Sequence, residues 1–111
     1  MINEKDLRHV KNALLAIKHL EEFSSEHPIN EAYEDYRISD VLLMEFENLA
    51  NEIFKLSNEY FAANENIPLI QLKAIRNRIA HDYLSVSLDV LYTSIEIDFP
   101  RLKSILINST K

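Results

Sequence analysis

The residues most able to carry out chemistry lie in one short segment, Arg76-Asn77-Arg78-Ile79-Ala80-His81-Asp82-Tyr83. A histidine side chain such as that of His81 can accept or donate a proton near neutral pH. A guanidinium such as that of Arg76 can hold a phosphate and stabilise negative charge on it. The segment is therefore a candidate site for acid–base chemistry on an anionic group.

The spacing of this segment predicts a helix with two different faces. At about 100° per residue, its apolar positions fall on one side, which must face the core. These positions are Leu72, Ile75 and Ile79. Arg76 lies on the flank of this apolar side, about 70° from its centre. Asn77 and His81 are four residues apart and share the face nearly opposite the core. We therefore expect His81 to be exposed or to lie at an interface.

A simpler interpretation of the same residues stays open, because arginine and histidine are often found five residues apart. Both side chains interact well with the C-terminal end of a helix dipole, so the pair could serve only to cap the helix. The rest of the sequence offers no competing site. The Glu-x-x-His pairs of di-iron bundles do not occur, and no serine has a recognisable base partner. We expect neither a metal nor another cofactor.

Composition favours one small all-α domain over residues 1–111. The chain has no glycine, which makes a P-loop or Rossmann motif impossible and a hairpin-rich β fold improbable. It has no cysteine, which excludes disulfides and thiolate chemistry. The charged N-terminus does not resemble a signal peptide, and no apolar stretch reaches the roughly 20 residues of a membrane span. We expect a cytoplasmic protein.

Charge is distributed unevenly along the chain. The net charge of −6 argues against broad, non-specific binding of nucleic acid. Residues 21–65 hold twelve acidic side chains and only two basic ones, whereas residues 1–20 and 66–111 each carry an excess of two basic side chains. Such a chain can still bind a phosphate locally. The acidic middle is equally well explained as a solvated surface that keeps the protein soluble.

The apolar periodicity predicts four helices in an antiparallel, up-down bundle. The first spans about residues 4–24, the second about 39–63, the third runs from Pro68 to about His81, and the fourth follows a cap at Ser85 or Ser87. The second helix is predicted to begin at a cap formed by Ser39 or Asp40. Residues 29–38 are either a short helical turn or the start of the second helix. Pro100 predicts a kink or break near residues 98–99.

Arg76 to Tyr83 reads R-x4-H-x-Y, which resembles the motif of HepT toxins in the HEPN superfamily. Ile67-Pro68, residues 49–57 and 84–92, and Phe99-Pro100-x-Leu102 are also similar to segments of that family. The resemblance covers most of the chain, although only the R-x4-H-x-Y segment is specific. Two departures from the family's usual pattern are Ala50-Asn51 in place of a Gly-Glu pair and Leu69 in place of a Trp.

The resemblance implies a HEPN-like four-helix bundle that forms a two-fold homodimer with both motifs in one cleft. It also implies a metal-independent RNA endonuclease, the toxin of a type II toxin–antitoxin system. Arg76 and His81 would be catalytic and Asn77 and Arg78 supporting, and Arg8 or Lys11 could guide the RNA backbone.

The implied partner is a minimal nucleotidyltransferase antitoxin (MNT type), which would adenylylate Tyr83. Tyr83 could equally serve only to pack its ring at the end of the motif helix. Two other functions stay open: a catalytically silent HEPN adaptor that docks a nucleotidyltransferase, and a helical interaction domain outside this superfamily.

Overall fold

The computed structural model describes residues 2–81 and 87–111, and this part of the chain contains helices and no strand. The helices are α1 (Glu4–Glu26), α2 (Ile29–Glu34), α3 (Tyr36–Phe54), α4 (Asn58–Ala63), α5 (Leu69–His81), α6 (Leu88–Thr93), a π-helical turn (Ser94–Asp98) and α7 (Phe99–Asn108). The predicted all-α class is confirmed. Within the described residues, no helix is both long enough and apolar enough to span a bilayer.

Helices α1 and α3 form an antiparallel pair. His9 Nδ1 lies 2.7 Å from a carboxylate oxygen of Glu52, and His19 Nδ1 lies 3.1 Å from one of Glu45, so residue numbers rise along one helix as they fall along the other. The predicted apolar stripes supply the buried contact, because a helix with apolar residues every three or four positions must cover that side. Fully buried positions in this pair include Val10, Ile17, Leu20, Leu42, Phe46, Leu49 and Ile53.

The predicted second helix is interrupted, and its predicted cap is wrong. It begins at Tyr36, three residues before Ser39, because the Asp35 carboxylate accepts a hydrogen bond from the Arg37 N–H at 3.0 Å. It ends at Phe54, and the chain resumes as α4 at residue 58. Of the ambiguous segment 29–38, residues 29–34 form the separate helix α2 and residues 36–38 begin α3, so each alternative holds for part of the segment.

A buried carboxylate accounts for the break between α3 and α4. Asp6, near the start of α1, is only 3 % exposed and accepts hydrogen bonds from the Ser57 N–H at 3.0 Å and the Ser57 hydroxyl at 2.6 Å. Ser57 Oγ in turn accepts from the Tyr60 N–H, which caps α4. The apolar side nevertheless continues across the break, because Leu56 and Tyr60 are both buried.

The last predicted helix is divided at a π turn. The Phe99 N–H donates to the Ser94 carbonyl, an i to i−5 bond that replaces the normal α-helical one. Pro100 then lies in the first turn of α7, where its missing N–H costs nothing. The distortion predicted near residues 98–99 therefore occurs at the end of this π turn, as a widened turn rather than a break. Ser87 precedes α6 without a side-chain capping bond, and Ser85 lies outside the described residues.

Helix α5 packs against α3 and is linked to the π turn by a hydrogen bond. Gln71 donates this bond to Asp98 at 3.3 Å. Leu72 and Ile79 are buried and Ile75 packs against the core from a half-buried position, so the predicted core-facing side of the helix is confirmed. The apolar side of the helix that carries the candidate motif thus fixes it to the core, and its opposite face is exposed.

Candidate functional site

The motif residues on α5 have three kinds of surroundings. Arg76 is half-buried, on the flank of the core-facing side, as the spacing predicts. Asn77 and His81 are exposed on the opposite face, also as predicted. Arg78 is exposed and lines a small recess between α5 and α6 with Ile75, Ser87, Val90 and Leu91. Tyr83, the predicted modification site, lies outside the described residues.

Arg76 makes a contact that was not predicted from the sequence. Its guanidinium carbon lies 4.5 Å from the ring centroid of Phe54, the last residue of α3. Lys73, one turn earlier on α5, places Nζ 5.9 Å from the same centroid. Both distances fall within the range of cation–π attraction. The one signal in the sequence was the position of Phe54, which directly follows Ile53 and so lies beside the apolar side of the second helix.

Helix α5 is the most basic helical surface of the described chain. It carries Lys73, Arg76 and Arg78 and contains no acidic residue, although the whole chain has a net charge of −6. The positive charge is therefore local, on the same helix that exposes His81. A charge distribution of this kind attracts an anion to one surface while the remainder of the protein repels it.

Arg76 and His81 do not converge on a single point within one chain. Residues five apart on an α-helix are separated by about 140° around its axis. Arg76 accordingly turns towards Phe54, whereas His81 is exposed near the C-terminal end of α5. A group that contacts both side chains must reach around the helix, or the second side chain must come from another molecule.

The basic residues of α1 lie apart from the motif helix in the sequence and on a different helix. Arg8 and Lys11 are exposed on α1, which packs mainly on α3, α7 and the π turn. No contact among the described residues assigns them to the α5 surface. Their predicted role in guiding a ligand stays a prediction.

The other three histidines are each joined to a glutamate. His9 pairs with Glu52, His19 with Glu45 and His27 with Glu31. Partial burial raises the pKa of Glu52, but the hydrogen bond with His9 and the nearby Lys55 outweigh it, so the pKa lies below its ordinary value. These pairs join elements of the bundle or successive turns of chain. Among the described residues, no group of three or more His, Cys, Asp or Glu side chains is arranged to hold a metal.

The fold and the site together define an all-α bundle of the HEPN type with a basic, solvent-facing motif helix. The chain belongs to the family described as "Ribonuclease HepT-like", whose model matches residues 13–108. The matched region extends from the middle of α1 to the end of α7 and includes the motif. No curated protein and no solved structure matches the chain.

Proposed function

We propose that this protein is the toxin of a type II toxin–antitoxin system, a metal-independent RNA endonuclease of the cytoplasm that acts as a homodimer. Membership of the HepT-like ribonuclease family supports an RNase-type toxin in general. The single observation that carries the finer proposal is the arrangement of α5. It exposes His81 and Asn77 opposite its core-facing side and holds Arg76 on the flank, on a helix with no acidic residue.

The proposed reaction is in-line attack of a ribose 2′-hydroxyl on the adjacent phosphate. One His81 takes the proton of the 2′-hydroxyl as its oxygen bonds to phosphorus. The bond from phosphorus to the 5′-oxygen breaks, and the departing oxygen takes a proton from the second His81. The products are a 2′,3′-cyclic phosphate and a 5′-hydroxyl. Arg76 stabilises the additional negative charge on the phosphate in the transition state.

A second copy of the chain supplies the second His81 in this proposal. The same face of α5 bears Ile70, whose side chain is 87 % exposed, and the small residue Ala74, also exposed. Apolar side chains that continue the face of Asn77 and His81 are what a two-fold contact through α5 would cover.

Asn77 and Arg78 have supporting roles in the proposed site. Asn77 lies four residues before His81 on the same face of α5, so its amide can orient the imidazole or the phosphate. Arg78 points to the recess beside α6 and contributes charge that guides the RNA backbone.

The test is cleavage of RNA by the purified protein with EDTA present throughout. We expect cleavage by the wild type, and we expect Arg76→Ala and His81→Ala each to lower its rate by on the order of 10²- to 10⁴-fold. Both variants should keep the fold, because neither side chain is fully buried. Arg101→Ala, which removes an exposed arginine from α7, is the matched control and should remain active. An inert wild-type protein would favour the silent adaptor over the nuclease.

Regulation by a partner nucleotidyltransferase is the second part of the proposal. Adenylylation of Tyr83, two residues after His81, would place a phosphate and a base next to the site and compete with RNA for the same charges. Intact-mass spectrometry after co-expression with the partner should show added AMP in the wild type and none in Tyr83→Phe. That variant should still cleave RNA and resist neutralisation. An unmodified Tyr83 in a fully neutralised complex would reject this mechanism.

A further inference from the structure

Phe54 carries two cations of the motif helix on one aromatic ring. The guanidinium carbon of Arg76 is 4.5 Å from the ring centroid, and Nζ of Lys73 is 5.9 Å from it. Lys73 and Arg76 are three residues apart on α5, so both project from the same side of that helix. The negative face of the ring attracts both positive charges and offsets part of their mutual repulsion.

The ring itself is held by its own segment of chain. Its neighbour Ile53 is fully buried, and Phe54 packs against the core from a half-buried position. The chain then turns at once, with the Leu56 N–H donating to the Ile53 carbonyl at 3.1 Å, and Ser57 is fixed by buried Asp6. The end of α3 is therefore anchored on both sides of Phe54. A ring held in this way can restrict the otherwise mobile side chain of an arginine.

A guanidinium at 4.5 Å from a ring centroid can face the ring and keep its hydrogen-bonding edge available. A guanidinium attracts an aromatic ring through its flat face, whereas its N–H groups point outward in the plane. Arg76 can therefore remain on Phe54 and still donate two hydrogen bonds to a phosphate. Lys73 lies on the same ring as a second, more mobile point charge with three donors.

We infer that Phe54 is a positioning residue for Arg76, and that Lys73 and Arg76 together bind neighbouring phosphates of a single RNA strand. This inference rests on the proposed nuclease function and extends it. Arg76 holds the phosphate that reacts, in an orientation set by the ring. Lys73 binds an adjacent phosphate of the same strand and so contributes to binding more than to the chemical step. Phe54 does not touch the reacting atoms and acts through Arg76.

The kinetic test compares Phe54→Leu with Phe54→Tyr. Leucine keeps an apolar side chain at the end of α3 but has no aromatic face, whereas tyrosine keeps the face. We expect Phe54→Leu to lower kcat about 3- to 30-fold with little change in KM, and Phe54→Tyr to retain the wild-type rate. Phe61→Leu is the matched control: Phe61 is also half-buried but contacts Tyr60 on α4, and its loss should leave kcat unchanged. Equal kcat for Phe54→Leu and wild type would overturn the positioning role.

Salt dependence of RNA binding tests the role of Lys73. For a single strand, each lost phosphate contact reduces the slope of log K against log salt by about 0.7. We expect this reduction in Lys73→Gln, together with a raised KM and a nearly unchanged kcat. Arg101→Gln removes the same charge from α7 and should leave the slope unchanged. An unchanged slope in Lys73→Gln would overturn the second phosphate contact.

A measurement that needs no activity separates this inference from the nuclease proposal. The ring current of Phe54 should shift the side-chain Nε–H resonance of Arg76 upfield, and the shift should persist in Phe54→Tyr and vanish in Phe54→Leu. If Phe54→Leu does not fold, Phe54→Met is the substitute, read in the same way. A wild type without RNase activity that still shows the shift would reject the function and keep the contact. Absence of the shift in an active wild type would reject the positioning role alone.

Discussion

At the scale of single residues, the proposed chemistry rests on Arg76 and His81, which α5 holds about 140° apart around its axis. The helical spacing alone predicted that Arg76 lies on the flank of α5 and His81 opposite its core, and the burial of both agrees. Phe54 was not predicted, because its contact with Arg76 joins residues far apart in the chain. Periodicity shows which side of a helix faces a neighbour, but not which side chain of that neighbour it meets.

The pairing of His9 with Glu52 should make the free energy of unfolding depend on pH. Folding lowers the pKa of Glu52 from its ordinary value of 4.5, so the ionised carboxylate is favoured in the folded state. Its contribution to stability is present above that ordinary value and is lost as the pH falls through the lowered one. We expect Glu52→Gln to lower the free energy of unfolding by about 1 kcal/mol at neutral pH. Chemical denaturation at several pH values should show this difference shrinking as the pH falls below 4.5.

The control for this prediction is Glu59→Gln, which changes an exposed glutamate of α4 and should have little effect at any pH. A difference between Glu52→Gln and wild type that stays constant as the carboxylates are protonated would contradict it.

At the scale of elements, the break between α3 and α4 is the main departure from the predicted helices. The apolar stripe over residues 39–63 is continuous, so a single helix was the natural prediction. The chain breaks because Ser57 is bonded to Asp6, 51 residues away in sequence. Long-range hydrogen bonds of this kind leave no local signal, and tertiary contacts then override propensity. The π turn before Pro100 differs from this break, because Pro100 does predict a distortion from the sequence. Only the form of the distortion could not be predicted.

Removal of the Asp6 carboxylate should therefore loosen the joint between α1, α3 and α4. Asp6→Ala leaves the Ser57 donors without their acceptor and should lower the free energy of unfolding by about 2 kcal/mol. Ser57→Ala removes the cap of α4 and should cost about 1 kcal/mol. The double variant should cost less than both together, since the two residues share a bond. Glu47→Ala, at an exposed site on α3, is the control. If urea denaturation shows that the two losses in free energy of unfolding add fully in the double variant, Asp6 and Ser57 do not stabilise the fold together.

At the scale of the whole molecule, the two main features are the hydrophobic core and the basic surface of α5. Among the described residues, one cluster of buried side chains includes residues from every helix, and α5 contributes Leu72 and Ile79 to it. We therefore propose that residues 1–111 fold as one domain. The acidic middle of the sequence leaves α5 as a local basic surface, and the binding of an anion there stays a prediction.

The proposed dimer is tested by charge placed on its apolar face. Ile70 is 87 % exposed, so Ile70→Glu should not disturb the fold of one chain. It should disrupt a two-fold contact through α5, because each substitution buries two like charges at once. Light scattering should then report a dimer for the wild type and a monomer for Ile70→Glu. Leu15→Glu changes a half-exposed apolar residue of α1 and should remain dimeric. A monomeric wild type would contradict the proposal.

The most direct test of the central claim is RNA cleavage by mixed dimers, since the claim is that two His81 side chains share one cleft. Wild-type and His81→Ala subunits are mixed in equal amounts, exchanged to equilibrium and assayed in EDTA. If both imidazoles are required, only dimers with two wild-type subunits are active, and about one quarter of the activity remains. If each subunit acts alone, about one half remains, and the shared site is wrong.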